Sequence, residues 1–219
     1  MEAIGMKVIG LTGGIACGKS TISLTLRELG AVIIDGDVLS RELTAENGAA
    51  LPEIRKVFGT GVFHPDGTLN RRKLGAVVFA DDAARDKLDG IMQPMLREMI
   101  LSGIEDARNS GAAACVLDMP LLYEKELDGL CDRVWCAYIP RETQLDRLMS
   151  RDGFTPEEAE ARLRSQLPAQ EKAARADVVI DTSGPIQYTK GCVISLYAKE
   201  VGIPDGAQSE HPAPAQPAG

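Results

Sequence analysis

Short apolar runs and helical stretches alternate along this chain. Residues 7–11 (KVIGL) form a brief, largely apolar run that ends in glycines, as a buried strand does when it enters a turn. From Lys19 the pattern becomes helical, with apolar positions at Ile22, Leu24, Leu26 and Leu29 and a stop at Gly30. Residues 31–35 (AVIID) follow at once and predict a second strand. Strand, helix, strand with so short a return implies a parallel crossover.

Between residues 38 and 109 the periods are helical and no strand is evident. VLSRELTA, LPEIRKVFG, RRKLGAVVFA and AARDKLDGIMQPMLREMILSGIEDARN repeat apolar positions three and four apart, and HPDGTLN supplies a turn. Two more apolar runs follow, AAACVLDMP at residues 112–120 and RVWCAYIP at 133–140, each closed by proline. Residues 141–176 return to charged helix, with Thr155-Pro156-Glu157-Glu158 as a helix start. Residues 177–181 (DVVID) predict a fifth strand and residues 186–201 a terminal helix, while the proline- and alanine-rich stretch 204–219 reads as disordered. The expectation is a three-layer α/β fold on a parallel sheet of about five strands. Its core comprises residues 1–37, 111–140 and 176–203, with a helical insertion at 38–110. In such sheets ligands lie beyond the carboxyl ends of the strands, which singles out Gly13, Asp35 and Asp118.

Composition narrows the partners. The 219 residues carry a formal net charge of -8, which opposes attraction to nucleic acid or to anionic membrane. Five cysteines, odd in number and without a CxxC pair, argue against a disulfide framework and a zinc site and suit a reducing cytoplasm. No apolar stretch approaches the length of a membrane span. A cytoplasmic monomer or weak homo-oligomer is the expectation.

Candidate chemistry concentrates in GLTGGIACGKST, where Gly13 to Ser20 match GxxxxGK[ST] between a predicted strand and a predicted helix. In that setting the backbone N–H groups of Gly13, Gly14, Ile15, Ala16, Cys17, Gly18, Lys19, Ser20 and Thr21 can cradle phosphate at a helix N-terminus. Lys19 can reach the outer phosphates, and the Ser20 hydroxyl can ligate Mg²⁺. The plainer reading is a flexible turn with a solvated lysine. Cys17, beside a lysine at a helix start, is either a thiol of lowered pKa or a small residue that fits a tight turn.

A triphosphate cradle leaves the acceptor open. No NKxD stretch of the kind that reads a base in switch proteins is present. A kinase needs a base for the accepting hydroxyl and cations for the moving phosphoryl group. His64 lies in the HPDG turn and His211 in the tail, so a carboxylate must serve. Asp35 and Asp37 of DGD end the second strand, and Asp37 is the better placed; the alternative is a cap for the next helix. Asp118 suits a carboxylate that holds Mg²⁺ or its water, or else closes a turn. Arg147 and Arg151 lie four apart on one helical face, either as lid cations or as solvated charges.

Taken in order, IGLTGGIACGKST, GAVIIDGDVLSRELT, GTLNRRKLGAVVF, LDMPLLYE, RLMSRDG and ADVVIDTSG resemble the dephospho-coenzyme A kinase family over residues 6–184. The resemblance implies a P-loop nucleoside-kinase-like core, a helical substrate domain at 38–110 and a lid at 141–175. It implies transfer of the γ-phosphoryl of ATP, with Mg²⁺, to the ribose 3′-hydroxyl of dephospho-CoA. Asp37 would be the base, Arg41 and Arg71 would lie toward dephospho-CoA, and Pro120, Leu121 and Leu122 would line the acceptor site. Arg147 would be the lid arginine on the phosphates, and Asp181 to Gly184 would lie near the ATP base. Gln93 stands where the family usually has histidine, Ala16 and Cys17 where glycine and serine are commoner, and the segment after Gly184 follows the pattern poorly. Residues 1–5 read as an extension before a natural start at Met6. Another small-molecule kinase and a non-catalytic nucleotide-binding module are the alternatives.

Overall fold

The computed structural model describes residues 5–202; the N-terminal extension before Gly5 and the tail expected to be disordered lie outside the described residues. Five parallel strands form one sheet: β1 (Lys7–Gly13), β2 (Val32–Asp35), β3 (Ala114–Asp118), β4 (Arg133–Tyr138) and β5 (Val178–Asp181), in the order β2-β3-β1-β4-β5. β1 is central. The next strand in sequence, β2, pairs beyond β3, while β4 returns to the opposite side of β1, so the order reverses at the carboxyl end of β1. Register then sets the floor of a crevice. Leu11 and Asp35 are both level with Asp118, so β2 and β3 end together beside Leu11 while β1 runs on through Thr12 and Gly13.

Alternation along β1 feeds two layers. Ile9 and Leu11 join Ile22 and Leu26 of helix α1 (Lys19–Glu28), Trp135 of β4, and Val193 and Tyr197 of helix α9 (Ile186–Glu200). Val8 faces the other way, among Ile34, Leu117, Leu122 and the last turns of helix α5 (Asp82–Asn109) at Ile100 and Ile104.

The helical segment after β2 carries its own apolar core. Helices α2 (Gly36–Leu43), α3 (Leu51–Phe58) and α4 (Arg71–Ala80) bury Leu43, Ile54 and Leu74 with Val62 and Phe63 against the first half of α5 at Leu88, Ile91 and Met95. At 28 residues α5 is about 42 Å long. It continues through Pro94 and belongs to both layers, so no clean break separates insertion from core at residue 110. A fourth, small cluster, Leu148, Ala159 and Leu163 with Ile15, joins helices α6 (Arg141–Asp152) and α7 (Pro156–Arg164) to the loop after β1. The expected start of α7 is real: the Thr155 side chain and Glu158 close a reciprocal capping box. Helix α8 (Ala169–Arg175) then leads into β5.

Candidate active site

Residues 14–18 carry the chain from the end of β1 to the N-terminus of α1. Space requires the glycines. A Cβ at Gly13 would come within 2.8 Å of the Ala137 carbonyl oxygen, and one at Gly14 within 2.9 Å of the Ala169 Cβ. Gly18 caps α1 at φ 73°, and Ala16 adopts φ 62°, a left-handed conformation that non-glycine residues take at a cost.

Three successive loop carbonyls are held by side chains from the second half of the chain. Gln144 Nε2 donates to Ile15 O at 2.8 Å, Arg147 Nη1 to Ala16 O at 3.4 Å, and Thr182 Oγ1 to Cys17 O at 2.6 Å. In a trans peptide the carbonyl and the following N–H point in opposite directions. Drawing the carbonyls outward therefore turns N–H groups inward. Among the described residues, the N–H groups of Ile15, Ala16, Gly18, Lys19 and Ser20 meet no acceptor within the protein, while Cys17 N–H is used by Gly14 O at 3.1 Å. Free N–H groups converging at a helix N-terminus make an anion cradle.

Lys19 Nζ forms an ion pair with Asp118 Oδ1, and the Asp118 side chain is 6% exposed. The Lys19 ammonium is thus held at the end of β3. Ser20, one residue on, is exposed. The two oxygens suit Mg²⁺, which takes hard oxygen donors and is commonly held by one or two protein groups together with substrate phosphates.

The two aspartates of DGD divide their work. Asp35 Oδ1 accepts from Asp37 N at 2.9 Å and Val38 N at 3.2 Å, so Asp35 is the cap of α2. Asp37 lies in the first helical turn, exposed, with its carboxylate bonded to no group among the described residues. The capping alternative raised for Asp37 belongs to its neighbour.

Other expected site residues separate into three kinds. Arg71 Nη2 donates to Arg41 O at 3.1 Å, which brings the exposed Arg41 and Arg71 together at the mouth of the helical segment. Pro120 and Leu121 stand partly exposed beyond β3, but Leu122 is 0% exposed, packed against β1 at Gly10. Leu122 is removed from the acceptor wall by that packing. Arg147 does not hang free above the cradle: besides Ala16 O, its Nη2 donates to Thr182 O at 2.8 Å, which sets it behind the loop toward β5. Arg151 pairs with Asp152 at 2.8 Å and is exposed. The loop after β5 turns on Asp181, whose carboxylate accepts from Ser183 N at 2.8 Å and is held below the usual carboxylate range by Ser183; Ser183 and Gly184 are exposed there.

Cys17 is 1% exposed, and burial pushes its thiol up. The low-pKa alternative fails on that ground, and the small-residue reading stands. Gln93 lies half-buried on α5.

Sequence reasoning missed Gln144 and Thr182, which shape the cradle, and Lys172 on α8, which is 0% exposed. The clue for Gln144 was its place four residues after Pro140 on a helix adjoining the loop, but nothing local marks an amide that bonds 129 residues away. Lys172 sits in a charged stretch that reads as solvated.

A cradle alone would fit a switch or a transferase; an uncommitted carboxylate in the turn just past β2, two strands along the same sheet from β1, fits a transferase. Fold and site together define a P-loop phosphotransferase acting on a small molecule. Comparison with known proteins narrows the class. Residues 7–187 match the family described as dephospho-CoA kinase. The chain is 43% identical over 210 residues to the dephospho-CoA kinase of Symbiobacterium thermophilum, covering 94% of this chain and 88% of that protein. Among solved structures it is similar to TT1252 from Thermus thermophilus, with TM-score 0.76, 30% identity, and coverage of 89% of this chain and 98% of that one. It is also similar to the dephospho-CoA kinase from Campylobacter jejuni, with TM-score 0.61, 26% identity, and coverage of 89% and 97%. The chain belongs to the dephospho-CoA kinase family.

Proposed function

We propose that this chain transfers the γ-phosphoryl group of ATP to the ribose 3′-hydroxyl of dephospho-CoA, yielding CoA and ADP, the last step of CoA biosynthesis. Family membership supports the reaction. The observation that carries the assignment of roles is the division between Asp35, committed to capping, and Asp37, free on the adjoining turn. In this reading Asp37 accepts the proton of the 3′-hydroxyl as that oxygen bonds to the γ-phosphorus and the bond from phosphorus to the β-bridging oxygen breaks.

The inward N–H groups of Ile15, Ala16, Gly18, Lys19 and Ser20 bind the β- and γ-phosphates, and Lys19 leaves Asp118 to neutralise the charge that spreads over the moving group. Ser20 and Asp118 would hold Mg²⁺, which when bound supplies neutralisation of the phosphate oxygens. Arg41 and Arg71 face dephospho-CoA, Pro120 and Leu121 line its site, and the loop 181–184 borders the ATP base. Arg147 contributes by fixing the cradle and the base loop to each other. The helical segment serves as the substrate domain and α6–α8 as the lid. Free thiols, with no disulfide among the described residues, suit a reducing, cytoplasmic setting. Among the described residues no helix is long and apolar enough to cross a membrane.

The test is ADP release from ATP, coupled to a colour change, on adding dephospho-CoA and a panel of other hydroxyl acceptors. Stimulation by dephospho-CoA far above every other acceptor is expected. Stimulation by none, or by an unrelated acceptor alone, sinks the reading.

A further inference from the structure

Lys172 is a lysine whose side chain is 0% exposed and which takes no part in the roles above. Its ammonium donates to the Pro120 carbonyl and pairs with Glu124 Oε1 at 2.8 Å. Glu124 Oε1 also accepts the backbone N–H of Leu167 at 2.9 Å, while Oε2 is buried without a partner. Pro120 O receives a second donor, Thr12 Oγ1 at 3.1 Å, from β1. One cation thus joins three places: α8, the loop that follows β3 and, through Glu124, the connection between α7 and α8 at Leu167.

Burying such a pair costs desolvation, and apolar residues of equal volume commonly serve stability as well or better. The location gives it another use. β3 is anchored through Met119, whose N–H donates to Leu11 O at 2.9 Å. Beyond Met119 no strand pairing holds the chain, and Pro120, having no N–H, can be fixed only through its carbonyl. Thr12, Lys172 and Glu124 supply that fixing at the first residue past the sheet.

We propose that Lys172 is a positioning residue for the acceptor: its buried ammonium holds the Pro120 carbonyl and the Glu124 carboxylate, and so sets the wall of Pro120 and Leu121 at a fixed height above the phosphate loop and ties it to the root of the lid. The proposal rests on the reading of Pro120 and Leu121 as part of the dephospho-CoA site. Because Asp118 and the cradle have their own anchors, loss of the clamp moves the acceptor wall and leaves the ATP site in place.

The experiment measures KM for both substrates, kcat and thermal stability in the full chain. Lys172→Met keeps the stem and strands a buried carboxylate, so it is paired with Lys172→Met/Glu124→Gln, which removes both charges at near-constant volume and leaves an amide oxygen for the Leu167 N–H. The double variant is expected to melt near the wild type while KM for dephospho-CoA rises about tenfold, the loss of a hydrogen bond from a charged donor. KM for ATP should stay within about twofold. Thr12→Val, which removes only the second donor to Pro120 O, should raise KM for dephospho-CoA in the same direction by a smaller factor and decides the matter if neither Lys172 variant folds. Unchanged KM for dephospho-CoA in the folded variants, or an equal rise for both substrates, overturns the proposal. Failure of the wild type to phosphorylate dephospho-CoA instead refutes the acceptor assignment beneath it.

Discussion

Asp35 and Asp37 lie two residues apart and should fail in opposite ways. Asp35→Ala removes a carboxylate oxygen that accepts two backbone N–H groups of α2, at 2.9 and 3.2 Å. Loss of such a cap costs about 1 kcal/mol, or about 2–4 °C in Tm for a chain of this size. Turnover should fall modestly, because the first turn that carries Asp37 frays. Asp37→Asn preserves shape at an exposed position whose side chain bonds to no group among the described residues. Its stability cost is the favourable charge at the helix N-terminus, about 0.3 kcal/mol when exposed. Its kinetic cost is that of a general base, about 10²–10⁴-fold in kcat, which corresponds to about 3–5 kcal/mol of barrier. Thermal melts alongside coupled ADP release, with KM for ATP read separately, distinguish the two. Near-normal kcat in Asp37→Asn, or collapse of ATP affinity with little change in kcat, refutes the assignment of the base.

Lys19→Ala should lower turnover on the order of a thousandfold and also lower Tm, since it leaves the nearly buried Asp118 carboxylate without its partner; a Tm equal to wild type would contradict the pairing. Thr182→Val deletes the donor to Cys17 O at 2.6 Å, and with a hydrogen bond contributing about 0.5–1.5 kcal/mol, KM for ATP should rise about threefold to tenfold with KM for dephospho-CoA unchanged. In native protein at pH 8, iodoacetamide should label the exposed Cys192 quickly and leave Cys17, Cys115 and Cys136 unmodified. Burial pushes Cys136 up to about 12 and Cys115 to about 11, so thiolate is scarce at that pH. Mass spectrometry that found Cys17 modified as fast as Cys192 would reinstate it as a reactive thiol.

The strands were legible because each is a short apolar run between turn residues, and in β1, β3 and β4 burial on both sheet faces leaves little room for any other sequence. The cradle was legible because its constraint is local: glycines where a Cβ would strike Ala137 or Ala169, and a lysine at the first position of the helix. What escaped is what depends on distant partners. Thr182 bonds a carbonyl 165 residues away, and Lys172 one 52 residues away. Lys172 lies in QEKAAR, where Glu171 and Arg175 are exposed and Lys172 is buried; only the packing of α8 against β1 and β4 decides which charge faces inward. Leu122 failed for the complementary reason. An apolar residue beside an expected site reads equally well as its wall or as core, and the close approach of Gly10 made it core.

The positions of Gln144, Arg147 and Lys172 carry one further consequence for how donor and acceptor sites are joined. Gln144 and Arg147 on α6, at the start of the lid segment, hold the phosphate loop by its carbonyls. Lys172 on α8, at its end, holds the loop after β3. Between them, α7 closes on α6 through Leu148, Ala159 and Leu163, and through an ion pair from Arg141 to Glu160 whose Arg141 side is half exposed. Each end of the segment is fastened by buried hydrogen bonds, whereas its middle relies on a small apolar cluster and exposed charge. Fastened ends with a weaker middle make α7 the freer part of the segment, although its cluster also packs against Ile15 of the phosphate loop. In the proposed reading, two floors fixed relative to one sheet would keep the attacking oxygen and the phosphorus at a set separation, the arrangement from which in-line transfer gains most.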